Sequence, residues 1–255
     1  LAAIQLDNRM PAADSLKKAY EGAAPDDERL RTALGMLADW DGQNAPDSAA
    51  AAFANVLWEH LTARLVAGRG GEIERWDQSR LARFLELRLA EPDSAWWTQG
   101  GATTRQGLLD GAAADALAEI TALQGRDPDG WNWGRLHAIT LTNATFGTSG
   151  IGPVEALFNR GPYDVGGGSG VVNATGWGLG QGYATTTVPS MRMVIDVADW
   201  DASTWQHLTG QSGHPFHPNY VDQTEGWARG EQYPWAFTSA AVESTTTAAL
   251  TLTAG

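Results

Sequence analysis

The chain has 255 residues, with 17 Lys plus Arg against 30 Asp plus Glu (net charge −13), 43% hydrophobic and 18% charged residues, and no cysteine. This is the composition of a globular protein with room for one large domain or two small ones, not of a disordered tail or a fibre. Its acidity argues against a nucleic-acid partner, no window approaches the roughly 18 uninterrupted apolar residues of a membrane span, and disulfides, thiolate metal sites and a Cys nucleophile are all excluded.

The chain opens at Leu1 in a patterned stretch, Leu1–Asp7, with no basic or apolar leader region, and reads as a processed piece or tail of a longer polypeptide. Helical punctuation follows. Asp26-Asp-Glu28 makes an acidic first turn, Leu30, Ala33, Leu34 and Leu37 form one face, and Trp40-Asp-Gly42 ends the helix. Asp47 or Ser48 caps a second helix with the stripe Phe53, Val56, Leu57, His60, Leu61 and Leu65, ending at Gly68. Asp77 opens a third, with Leu81, Phe84 and Leu85 inward, closed before Pro92. Thr103 or Thr104 opens a fourth through Leu108, Leu109, Ala112, Leu117 and Ile120 to Gly125.

Beyond Asp127-Pro-Asp-Gly130 the helical stripes vanish. Met191, Met193, Ile195 and Val197 alternate with Arg192, Val194 and Asp196, as in a strand with one buried face. His137–Phe146, Gly170–Thr175 and Thr245–Thr253 also read as strands, divided by glycine-rich loops at Gly161–Gly170 and Gly176–Gly182. The fold class expected is α+β, with a helical part over 1–127 and a β-rich part over 128–255, both belonging to one larger domain. Few short strands after a helical block leave open edges, and twelve tryptophans need cover, so the β part is expected to pair with strands from another chain or an upstream segment.

The densest polar cluster is Gly210–Gln223. His214, His217 and Asp222 offer two imidazoles and a carboxylate for a metal, although Pro215 and Pro218 deny them the helix that spaces such ligands. Gln211-Ser-Gly213 has a serine-hydrolase flavour, and His137, Asp164 and Ser212 stand in triad order, but a triad is defined by geometry. The alternative is a rigid turn whose histidines bond the backbone. Gly166–Gly170 and Gly176–Gly182 fail both nucleotide-loop templates and suit close backbone approach instead. His60 and His137 read as packed core histidines. Asn143-Ala-Thr145 and Asn173-Ala-Thr175 match the glycosylation sequon. No complete catalytic set is present among these residues.

Taken in order, several blocks resemble the catalytic β chain of penicillin acylases. They are Ile4-Gln-Leu-Asp7, Leu37–Gly42 before a helix bearing Phe53 and Trp58, and Trp131–His137. Gly152-Pro153, Gly170–Ala174, Ser190–Val197 and Gly210–Gln223 with Trp227, Gly230 and Glu231 complete the set. The resemblance implies an N-terminal-nucleophile amidohydrolase with an αββα sandwich, of which this chain is the C-terminal portion. Its precursor would cut itself so that a serine begins the β chain, with the serine's α-amino group as base and an oxyanion hole from a backbone N–H and an asparagine. That serine, that asparagine, a nearby arginine and the family's calcium ligands all belong upstream of Leu1, so no catalytic, cofactor-binding or metal residue is assigned here.

The implied partners are the upstream part of the β chain and the α chain of the same precursor. The implied substrates are N-acyl compounds such as penicillins, acyl homoserine lactones or acylated peptides, with the Gly-Gln-Ser-Gly form at 210–213 leaning to the penicillin type. The implied location is periplasmic or secreted. A catalytically silent scaffold of the same fold, and a metal hydrolase built on His214, His217 and Asp222, are the alternatives.

Overall fold

A computed structural model of the chain describes residues 1–67, 78–98 and 102–253. The chain divides into two compact units, residues 6–188 and residues 1–5 with 189–255. A single helical turn, α1 (Ala2–Gln5), belongs to the smaller unit.

The larger unit is built from α2 (Ala13–Ala19), α3 (Glu28–Asp39), α4 (Ala49–Val66), α5 (Gln78–Leu89), α6 (Arg105–Gln124), α7 (Trp133–Leu136) and α8 (Gly152–Phe158). The expected caps are in place, because a helix start leaves N–H groups that a short polar side chain satisfies. Asp27 accepts from Arg29 and Leu30, Ser48 from Ala51 and Thr104 from Gly107. Gly125, at φ +97, ends α6 as its sequence position requires. The expected opening at Asp77 and stop at Gly68 lie outside the described residues.

Two of these helices are not one-sided. The stripe expected on α4 is there, but Ala51, Ala52, Ala54, Asn55 and Thr62 are buried as well, so the helix has almost no wet face. Ala112, Ala113 and Ala116 of α6 let it come close to α4. Gly111 widens that approach, since a Cβ there would stand 2.7 Å from Arg64 Nη1. Polar pairs then line the seam: His60 Nε2 lies 2.5 Å from Glu119, and Arg64 Nε donates to Asp115 at 2.7 Å. His60, expected as a packed core histidine, is half-buried and hydrogen-bonded across the two helices to Glu119.

The α+β class holds, with less strand than expected. β1 (Ala138–Leu141) and β2 (Arg160–Asp164) form an antiparallel pair in the larger unit, with Ala138 opposite Asp164. β1 is shorter than His137–Phe146 because Asn143 Oδ1 accepts from the amides of Thr145 and Phe146 and turns the chain. Gly170–Thr175 is a turn, not a strand: Gly170 sits at φ +75 and Val171 N donates to Gly168 O.

In the smaller unit β3 (Met191–Val194), β4 (Thr204–His207) and β5 (Tyr233–Pro234) form an antiparallel sheet in the order β3-β4-β5. α9 (Thr224–Arg229) and α10 (Ser239–Thr245) complete it. The strand expected over Thr245–Thr253 is absent. Thr238 caps α10 through Ala241 N, and Leu250 and Leu252 beyond it stand exposed, with no strand among the described residues pairing with them.

The alternation expected at 191–197 is present over β3. Arg192 is the buried residue, while Met191 and Met193 face outward. Arg192 is held by Trp227, whose ring centroid lies 4.2 Å from the guanidinium and whose carbonyl accepts from Nη1 at 2.6 Å. Burial pushes its pKa down to about 10, so it stays charged at neutral pH. No described helix is long and apolar enough to cross a membrane.

Because α4 is enclosed on all sides, Leu57→Ala should lower stability by about 2–5 kcal/mol in urea unfolding. Leu123→Ala, at an exposed α6 position, should change it by under about 0.5 kcal/mol.

Candidate functional site

The larger unit carries a cavity of about 240 Å³ beside a seam of paired backbones. The seam joins three stretches far apart in sequence. Asn44 N donates to Asn8 O at 3.0 Å, Gly167 N to Asn44 O at 3.0 Å, and Asn173 N to Asp7 O at 2.9 Å. Side chains repeat the stitching, since Asn173 Nδ2 donates to Asn8 Oδ1 and Asn55 Nδ2 to Asn44 Oδ1, each at 2.9 Å. Gly167 permits this approach. It adopts φ +91, and a Cβ there would strike Asn173 O and stand 2.5 Å from Thr175 Oγ1. The first glycine loop thus serves backbone contact, as its failed nucleotide templates suggested.

The cavity wall is apolar on the side of Met10, Trp58, Trp177 and Leu179, and polar where the buried amides of Asn44 and Asn55 meet it. Arg83 and Glu86 of α5 also line it, joined by a 2.8 Å ion pair. Ser169 reaches it too, but its hydroxyl donates to Trp177 O at 2.6 Å and accepts from Trp177 N at 3.0 Å. That serine is a loop staple, not a nucleophile. The arrangement can enclose an apolar group and meet a neutral polar end with amides. Among the described residues none of its lining side chains is an imidazole.

His137 sits below the seam, fully buried and stacked on Trp133 at 4.5 Å between ring centroids. Its Nδ1 lies 2.8 Å from Tyr183 O, and its Nε2 2.9 Å from Thr175 O and 3.1 Å from Thr175 Oγ1. Both ring nitrogens are thus committed within the fold. Burial, opposed only in part by the two carbonyls, pushes its pKa down to about 4. The packed-histidine reading holds for His137.

The triad reading is not met. The ring nitrogens of His137 are engaged by Tyr183 and Thr175, Asp164 stands opposite Ala138 on β2, and Ser212 Oγ accepts from His214 N. The metal reading fares no better. His214 Nδ1 accepts from Phe216 N and His217 Nδ1 from Asn219 N, each closing its own turn. Among the described residues no three His, Cys, Asp or Glu are grouped to hold a metal ion. The turn-rich reading of 210–223 is the one the geometry matches. Of the sequons, Asn143 makes the turn after β1, and Asn173 is buried in the seam. The amide pair Asn44–Asn55 was missed by sequence reasoning. Its only signal is an asparagine set within the otherwise apolar run Ala49–Trp58.

Residues 1–244 match the profile of the penicillin amidase family, and the chain belongs to that family. It is 29% identical over 255 residues to the acyl-homoserine lactone acylase QuiP of Pseudomonas fluorescens (strain Pf0-1), covering 90% of this chain and 30% of that protein. It is 29% identical to the penicillin acylase 2 proenzyme of Pseudomonas sp. (strain SE83), covering 92% of this chain and again 30% of the relative. Among solved structures it resembles the thermostable penicillin G acylase from Alcaligenes faecalis, at 17% identity and a TM-score of 0.50 over 96% of this chain and 46% of that one. The chain therefore spans under a third of the curated relatives it matches. The stitched stretches Asp7–Asn8, Gln43–Asn44 and Gly166–Thr175 fall at or next to blocks that carried the resemblance. In this chain those residues build the seam.

Two outcomes test the site. Asn55→Ala leaves Asn44 Oδ1 buried without its donor and should lower stability by about 1–3 kcal/mol in urea unfolding. His137 has a folded pKa of about 4, below the unfolded value of about 6.5. The unfolded state therefore binds more protons between those values, and the stability from neutral His137 is present above about pH 6.5 and lost as pH falls toward 4. The difference in stability between the native protein and His137→Gln should shrink from pH 7 to pH 5, by up to about 1.4 kcal/mol per pH unit. A difference flat across that range would show that His137 is not buried neutral.

Proposed function

We propose that this chain is the C-terminal part of an acylase that cleaves the amide between an acyl side chain and an amine, as in acyl homoserine lactones or penicillins. The observation that supports this reading most is the family match over residues 1–244, along which relatives named as acylases align. In the proposed reaction an N-terminal serine outside this chain attacks the amide carbonyl through Oγ, and its own α-amino group takes the hydroxyl proton. The C–N bond breaks, the amine leaves with that proton, and water hydrolyses the acyl ester to carboxylic acid and free serine.

In this proposal the chain supplies the helical wall and C-terminal strands, and works together with the rest of the same precursor. The cavity beside the Asn44–Asn55 pair is a binding or positioning element, not the reacting centre. Calcium is assigned to ligands outside this chain, and the mature protein to the periplasm or the exterior.

The test uses the whole processed protein that contains this chain. It should release homoserine lactone from long-chain acyl homoserine lactones, or the free amine from phenylacetyl or phenoxyacetyl amides, and lose activity to a serine reagent. One of its polypeptides should begin with serine. No amide cleavage on any of these substrates, with no serine-reagent inactivation, would overturn the acylase reading and favour a silent scaffold.

A further inference from the structure

A buried indole usually finds an acceptor for its N–H, because a desolvated donor left alone is costly. Trp40, Trp97, Trp131, Trp133 and Trp227 follow this rule. Each is buried, and each donates from Nε1 to a backbone carbonyl at 2.7 to 3.1 Å. Trp58 and Trp177 are buried too, each 6% exposed, yet their Nε1 groups meet no acceptor among the described residues. Both line the cavity of about 240 Å³ in the larger unit.

The amide pair in the same wall is also incomplete. Asn55 Nδ2 donates to Asn44 Oδ1 and to Ala51 O. Asn44 Nδ2 is left without an acceptor and Asn55 Oδ1 without a donor among the described residues, although the two side chains are almost fully buried. The glycine loop brings two of the donors together: a Cβ on Gly168 would stand 3.3 Å from Asn44 Nδ2 and 3.9 Å from Trp177 Nε1. Neutral donors that converge suit a carbonyl oxygen, and Asn55 Oδ1 suits an N–H. A carboxylate fits less well, because the cation in the wall, Arg83, is already paired with Glu86 and nothing else repays its lost hydration. An apolar cavity of about 150 Å³ takes a benzene ring, so this one has room for a ring and a short polar end.

We propose that this cavity binds a small neutral secondary amide carrying an apolar group of about the size of a phenyl ring. Trp177 Nε1 and Asn44 Nδ2 donate to its carbonyl oxygen, and Asn55 Oδ1 accepts from its N–H. The apolar group lies against Met10 and Leu179. The proposal rests on the acylase reading only for the origin of such a ligand, since N-acyl compounds are amides of this kind. The cavity holds the amide without cutting it, because Ser169 is tied to Trp177 through both its donor and its acceptor.

The experiment uses the whole processed protein after treatment with a serine reagent, so that binding at the reacting centre is removed. Fluorine NMR titration compares N-(para-fluorobenzyl)acetamide with para-fluoroethylbenzene, which has the ring without the amide. The amide should bind at least about 10-fold more tightly. Trp177→Phe keeps an aromatic ring and removes the N–H. It should weaken the amide about 3–10-fold and leave the hydrocarbon within about 2-fold. Ala82→Phe, which fills the cavity from α5, should abolish both. On the unsubstituted protein a diazirine on the same ring should label the peptide containing Met10 or Trp177, so the site is read even where a variant misfolds. Equal affinity for the two compounds, or labelling elsewhere, would overturn the proposal. So would no binding of either, which would show that the rest of the polypeptide fills the cavity. Amide binding in a protein that cleaves no amide would sink the acylase reading and keep the site. Cleavage without binding here would do the reverse.

Discussion

The larger unit depends on the enclosure of α4. Twelve of its eighteen residues are buried, so the helix is held by packing on every side rather than by one apolar stripe. Alanines at 51, 52 and 54 and across α6 bring backbones close, and the larger Phe53, Leu57 and Leu61 fill what remains. Enclosure has a consequence for polar residues. Asn55 sits within this helix, and its amide must be satisfied internally, which it is by Asn44 and by the carbonyl of Ala51. Asn44 in turn receives Gly167 through its carbonyl. A buried helix thus fixes a buried amide, and the amide pair anchors the loop that walls the cavity.

Asp7, Asn8, Asn44 and Asn173 do structural duty here, because short polar side chains and backbone amides can close a seam between stretches far apart in sequence. His137 belongs to the same logic. A ring with both nitrogens against carbonyl groups and its face on Trp133 holds the start of β1 to the second glycine loop. Its depressed pKa is the signature of burial, not of a reacting base.

The smaller unit solves its packing the opposite way. It buries Arg192 under Trp227 and turns Met191 and Met193 out. In the larger unit α3, α4 and α6 pack on one another.

Much of the helical architecture was legible in the sequence. The caps at Asp27, Ser48 and Thr104 and the stop at Gly125 are local devices, set by hydrogen bonds within one turn, and local signals suffice to read them. The α+β class also followed from residue types and order. Strand lengths did not, because a strand exists only where a partner pairs with it. Thr245–Thr253 has the composition of a strand but no partner strand among the described residues, and Gly170–Thr175 is claimed by a turn and by Asp7. Which face of 191–197 is buried was equally undecidable from alternation, which gives a period of two but no inside. Only tertiary structure set Arg192 on Trp227, joined Asn44 to Asn55, and brought residues 8, 44 and 167 to one seam, because each of these contacts spans a sequence distance that no local pattern encodes.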